Sequence, residues 1–276
     1  MNMTNLIDAL PLLLFIIAIG AIAGVLAGLL GVGGGIVLVP AFFFLFEQFG
    51  YASDQLMQIC LGTSLATIIV TSIRSVQSHH KKGAVDWQLL RQWAPGIAIG
   101  AVIGVFAAAQ LRSVYLQAIF GSLGVVIAFY MAFGKAQWRL KEEMPKGAMG
   151  TISSSVIGFT SVLMGIGGGS LGVPFMSLCN VVMHRAVATA AGFGLAIALP
   201  SAPAFLLISI NAENSPPFTV GAVNFPAFFI VICMTLITTP LGVKLAHAMD
   251  PKPLKKVFAL FLALVAVNML VKALSL

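Results

Sequence analysis

Residues 24–40 read GVLAGLLGVGGGIVLVP and residues 158–174 read GFTSVLMGIGGGSLGVP, one glycine-rich apolar stretch written twice at an offset of 134. The copies share Gly24/Gly158, Leu29/Leu163, Gly31/Gly165, the triplets Gly33, Gly34, Gly35 and Gly167, Gly168, Gly169, then Val39/Val173 and Pro40/Pro174. Each glycine inside a helix costs roughly 1 kcal/mol relative to alanine, so three in succession predict a break in an otherwise apolar run. Matching breaks in two halves of a chain point to discontinuous membrane helices, the device that builds midplane sites in secondary transporters.

Composition agrees. Hydrophobic residues make up 59% of the 276-residue chain and charged residues only 8%, and mean hydropathy is +1.05. That excludes a soluble globular domain, and apolar runs of spanning length, about 17–25 residues, recur throughout. The whole chain, residues 1–276, reads as a single membrane domain. Its first span, about residues 9–30, carries Asp8 in place of a basic leader and reads as a retained helix rather than a cleaved signal. Cys60, Cys179 and Cys233 stand singly in apolar sequence without ligand spacing and read as packing residues. The net charge of +7 falls in short clusters between spans, with no basic stripe interleaved with aromatics, so nucleic acid is not an expected partner.

The repeat continues beyond the glycines. GTSL at 62–65 is echoed weakly by GFGL at 192–195, GAVDW at 83–87 strongly by GAVNF at 221–225, and Leu116 and Phe120 by Leu254 and Phe258. Two homologous halves result, about 6–134 and 147–276, joined by the charged linker GKAQWRLKEEMPKG. Each divides into five apolar segments: about 9–30, 36–48, 55–77, 89–110 and 114–134, then 148–166, 170–183, 187–209, 224–247 and 254–275. The second segment of each half is short, and whether it crosses decides the architecture.

Charge decides between the alternatives. With ten crossing segments the halves are inverted, and 13 of the 15 basic residues share one face, leaving Arg112 and Lys272 opposite. With re-entrant short segments the halves run parallel and the split is nine to six. The positive-inside rule favours the first. The expectation is an all-α integral membrane protein of two inverted five-segment repeats with both termini outside, short helices starting at recessed glycine loops. Non-helical backbone at that depth is tolerated only inside protein or beside a wet cavity. Helix N-termini there offer backbone N–H groups to an anion, which glycine lets approach closely.

The doubled GxGGGxxxxP motif, the chain length and the hydrophobicity resemble the TauE/SafE family of bacterial membrane permeases, often called sulfite exporters, over nearly the whole chain. The resemblance implies carrier-type movement of small sulfur-containing anions such as sulfite or organosulfonates across the bacterial inner membrane. It supports a small anion better than any single molecule.

Candidate substrate contacts are the two triplets and Ser170, whose plain alternatives are close helix packing and N-capping. Thr63, Thr67 and Thr71 lie four apart on one helix face with Ser64 beside them, either a hydroxyl path or a set of back-bonded side chains. Arg74 is set back from the loop clusters and either recruits an anion or snorkels to headgroups. His79 and His80 read as an interfacial loop pair, and Asn180 as a helix-end residue. No acidic residue falls in the middle of a span, so no carboxylate relay for ion coupling is evident. Neither a metal nor another cofactor is expected, and the partners are the small anion, the bilayer and, as an open question, further copies of the chain. The alternatives are an anion channel, a non-transport subunit of a partner complex, and a membrane enzyme. The last lacks convergent catalytic side chains at membrane depth, since all four histidines fall at loops.

Overall fold

In the computed structural model, residues 3–30, 34–134, 141–211, 215–248 and 251–275 are described, with the side chains of 3–13, 30, 246–247, 251–255 and 257–258 excepted. Gly33, with Gly31 and Val32, lies outside the described residues, as do residues 135–140 of the charged linker. The described chain forms ten helices: α1 Met3–Leu30, α2 Gly35–Gln48, α3 Leu56–His80, α4 Trp87–Gln110, α5 Ser113–Phe133, α6 Gly147–Leu163, α7 Gly169–Leu178, α8 Met183–Leu206, α9 Phe225–Ala248 and α10 Pro251–Leu274. A two-strand ribbon, β1 Thr219–Val220 and β2 Val223–Asn224, precedes α9. Among the described residues, α3, α4, α5, α8 and α9 each hold a stretch long and apolar enough to cross a bilayer. The short α2 and α7 begin at the glycine triplets, as hydropathy predicts.

The helices pack in pairs that join the first five to the last five. α1 lies along α9 and, equivalently, α6 along α4, while α3 meets α8 and α5 meets α10. Glycines set the first two contacts. A side chain at Gly20, Gly24 or Gly28 of α1 would strike Val231 and Met234, Thr235 and Thr238, or Thr239 and Val243 of α9. In the mate pair, Gly96 and Gly100 of α4 lie against Thr151, Ser154 and Ser155 of α6, and Gly158 of α6 against Ile97 and Ala101. Without a hydrophobic force between lipid-bathed helices, such close approach supplies the dispersion contact that holds them.

These contacts also fix relative direction. α1 and α9 run parallel, since later residues of one meet later residues of the other, and so do α4 and α6. Pairs α3/α8 and α5/α10 run antiparallel: Gly62 meets Phe205 while Gly194 meets Ser72, and Gly121 meets Leu270 while Gly124 meets Leu262. Ten crossing segments give this set of directions. Re-entrant short helices would make α3/α8 and α5/α10 parallel. Gln55, just before α3, also exchanges hydrogen bonds with Ser209 and Asn211, just after α8, so those two ends share a face.

α3 and α8 form the enclosed centre. The large apolar side chains of α4, α5 and α9, among them Phe106, Val126, Phe129 and Ile237, point outward where lipid covers them. Cys60 and Cys179 are buried as expected, but Cys233 is exposed on α9, whose pitch puts it on the outer face.

Candidate functional site

The two glycine motifs meet. Gly34 caps α2 with φ +78°, a left-handed conformation that glycine adopts without steric cost. A Cβ on Gly35 would lie 2.4 Å from the Gly165 carbonyl oxygen, 2.9 Å from the Ile166 Cα and 2.9 Å from Ser64 Oγ. Ser64 Oγ donates to that same carbonyl at 2.7 Å. The break of the first half, the break of the second and the middle of α3 therefore converge on one buried point.

The space beside two of these glycines is filled by protein. At Gly168 a Cβ would lie 2.3 Å from the Phe193 Cβ, and at Gly35 the second loop itself occupies the position. Here the missing side chain serves close packing. What remains open to chemistry is hydroxyl and backbone. Ser170, in the first turn of α7, is buried and its Oγ has no protein partner, and Ser161, four residues before Gly165, is in the same condition. Sequence reading missed Ser161 because nothing in its immediate sequence marks it. The prolines at the matched sixth helical position, Pro40 and Pro174, have no N–H, leaving the carbonyls of Ile36 and Ser170 without their usual helical donor.

The α3 hydroxyls divide. Thr67 Oγ1 donates to the Ser64 carbonyl at 2.7 Å, bonding back to its own helix, and Thr71 does the same toward Ile68 at 3.3 Å. Thr63 Oγ1 instead accepts the Asn224 N–H at 2.8 Å. Thr189 of α8 makes the same bond to the Asp86 N–H at 3.0 Å, and Asp86 and Asn224 then cap α4 and α9 through Leu89 and Ala227. Thr63 and Thr189 are thus structural equivalents at an offset of 126. This corrects the weak alignment of 62–65 with 192–195, which failed because both α7 and the connection that follows it are shorter than α2 and its connection.

Arg74 is exposed on α3 beside the exposed Ile73 and does not join the glycine loops. His79 is a second correction: helix α3 runs on through it, and its ring is buried with Nε2 3.2 Å from the Gly28 carbonyl of α1. His80 remains exposed, its Nδ1 accepting from Trp87 Nε1 at 3.1 Å. Asn180 takes a positive φ just past the end of α7, a helix-end role.

Ten apolar helices in two interlocked halves, joined at buried helix breaks, define a multi-pass membrane protein. The sequence model of the family described as "Sulfite exporter TauE/SafE" matches residues 16–269, and the chain belongs to that family. It is 34% identical over 263 residues to a probable membrane transporter protein of Haemophilus influenzae, covering 94% of this chain and 98% of the other. A probable membrane transporter protein of Methanocaldococcus jannaschii is 28% identical over 272 residues, covering 95% and 97%. A third, from Bacillus subtilis, is 31% identical over 182 residues, covering 59% and 66%. No solved structure matches the chain. The protein is a membrane transporter and not an enzyme.

Proposed function

We propose that the protein is a carrier of small sulfur-containing oxyanions, sulfite or short organosulfonates, working by alternating access between inverted halves in the bacterial inner membrane with both termini outside. The observation that carries the reading is the junction of the two glycine motifs at Gly35 and Gly165, with the unpartnered Ser170 hydroxyl on the first turn of α7. A helix N-terminus stabilises an anion by about 0.3–1 kcal/mol when exposed and up to about 2 when partly buried. Hydroxyl donors such as Ser170 and Ser161 add directed hydrogen bonds that a sulfur oxyanion can accept through several oxygens. Moderate affinity of this kind suits a carrier, which must also release its load.

The charge distribution supports the orientation. On the face assigned to the outside, Arg112 pairs with Asp54 at 2.9 Å, and Lys272 pairs with Glu47. The remaining 13 basic residues fall in or beside loops on the opposite face, the bias that the positive-inside rule reads as cytoplasmic.

Uptake and counterflow in proteoliposomes, with sulfite, thiosulfate, sulfoacetate, sulfate and short carboxylates compared, test the reading. Saturable uptake of a sulfur anion with accelerated exchange is expected. Transport of carboxylates alone would overturn the substrate class, and flux without counterflow would point to a channel.

A further inference from the structure

The α3–α8 contact has two unlike ends. Toward Thr63 it is tied and filled: Phe205 is fully buried, the Ala222 N–H donates to the Phe205 carbonyl at 2.8 Å, and Thr63 holds Asn224. Gly62 is so close to the β-ribbon that a Cβ would lie 2.2 Å from the Ala222 oxygen. Toward the basic loop at residues 81–82, Ser72 and Ile68 of α3 lie against Gly194 of α8, and Ser75 follows Ser72 one turn further along α3. Both serines are about 1% exposed, and neither hydroxyl has a protein partner. An unpaired buried hydroxyl is destabilising, and hydration on opening relieves that penalty. The helices are also anchored to different neighbours here. α3 holds α1 through His79 and Gly28, while α8 holds α4 through Thr189 and Asp86 and through the stacked rings of Phe193 and Trp93.

We propose that this seam is the cytoplasmic gate, and that Ser72 and Ser75 form a hydroxyl-lined anion site in the vestibule it opens. The proposal rests on the carrier reading above. Separation at Ser72 and Gly194 exposes two donors one turn apart on α3, between the glycine junction and the cytoplasm. A sulfur oxyanion passing there accepts their protons while exchanging protein contacts for water, and closure returns the seam to small-residue packing.

The geometry supplies its own test. A Cβ at Gly194 would lie 3.6 Å from the Ser72 Cβ, within the range that a disulfide spans. In a Cys233→Ser background, the Ser72→Cys/Gly194→Cys variant is expected to cross-link on oxidation and lose sulfite transport by at least about tenfold, with recovery on reduction, because lid and gate motions set turnover. A fully cross-linked protein that transports at its reduced rate would overturn the proposal. If the double variant fails to fold or to cross-link, the single variants Ser72→Cys and Ser75→Cys decide. A charged, membrane-impermeant thiol reagent applied to the cytoplasmic face is expected to modify both, and sulfite to slow the reaction. Failure to label either, while Lys82→Cys labels readily, would overturn it. The labelling arm reports on the seam even if the wild-type protein carries no sulfur oxyanion, a result that would sink the substrate reading alone.

Discussion

Ser64 Oγ donates to the Gly165 carbonyl at 2.7 Å, across 101 residues, so the central helix of the first half holds the helix break of the second. Gly35 lies against the same two groups. Removing the hydroxyl leaves a buried carbonyl short of a donor, a loss of about 1–3 kcal/mol. Ser64→Ala is therefore expected to lower the thermal midpoint of the purified protein by several degrees, while Ser64→Cys, a weaker donor, falls between. Identical melting of Ser64→Ala and wild type would show that the link adds nothing to the join.

Ser170 and Ser161 invert that expectation. Their hydroxyls have no protein partner, so Ser170→Ala and Ser161→Ala leave stability unchanged or slightly raised. A hydrogen bond to a charged ligand contributes about 1.5–3 kcal/mol, or roughly tenfold or more in affinity. Ser170→Ala is expected to raise the half-saturating sulfite concentration by about that factor in proteoliposomes. Unaltered saturation in both variants would move the anion elsewhere.

The triplet glycines separate on different grounds. Gly34 needs a left-handed backbone, which asparagine also visits, so Gly34→Asn is expected to retain more folded protein than Gly34→Val. Gly35 needs absence of volume, because backbone atoms stand within 3 Å. Gly35→Ala and Gly168→Ala are expected to fail in membrane expression or to melt early, as overpacking costs about 1–3 kcal/mol and the atom nearest Gly35 is a backbone carbonyl oxygen that cannot rotate away. Monodisperse, wild-type-like Gly35→Ala protein would contradict the packing found.

Most of the fold was legible because each helix is a long apolar run punctuated by charge or by glycine. Even α2 and α7 were visible as undersized segments beginning at the triplets. Four things were hidden. The equivalence of Thr63 with Thr189 was masked by the shortening of both α7 and the connection after it, since local identity at 62–65 aligned with the wrong turn of α8. His79 looked like loop because it is polar and precedes lysines, yet its partner is a carbonyl on α1, 51 residues away. The functions of Gly35 and Gly168 depend on which atoms fill the space beside them, information carried by Gly165, Ile166 and Phe193 rather than by the triplets. Ser72, Ser75 and Ser161 differ from other serines in lacking a partner, which no local pattern encodes, whereas Ser170 was marked by its place directly after the second triplet.

Orientation has a direct check. In a Cys233→Ser background, cysteines at Lys82 and Glu142 are expected to react with an impermeant reagent only from the cytoplasmic side, and those at Ala52 and Asn211 only from outside. All four positions are exposed. Positions 52 and 211 must agree, because Gln55 bonds the backbone of Asn211 at 3.0 Å. Labelling of 82 and 211 from one side would overturn the five-plus-five arrangement.

Thr63 and Thr189 allow substrate contact to be separated from scaffold. Each hydroxyl accepts one backbone N–H at the head of a following helix, Asn224 before α9 and Asp86 before α4. Valine keeps the shape and β-branching but removes the acceptor, so each N–H is left buried or half-buried without its partner, at about 1–3 kcal/mol. Asn224 is almost fully buried and Asp86 only partly so, and water can replace the bond at Asp86 more readily. Thr63→Val is therefore expected to lower the thermal midpoint more than Thr189→Val. If Thr63 serves only this junction, both variants transport in proportion to the folded protein recovered, with unchanged half-saturation. A rise in half-saturation confined to Thr63→Val, at matched folded protein, would return Thr63 to the substrate site and show that its hydroxyl proton is offered to the anion while its lone pair holds Asn224.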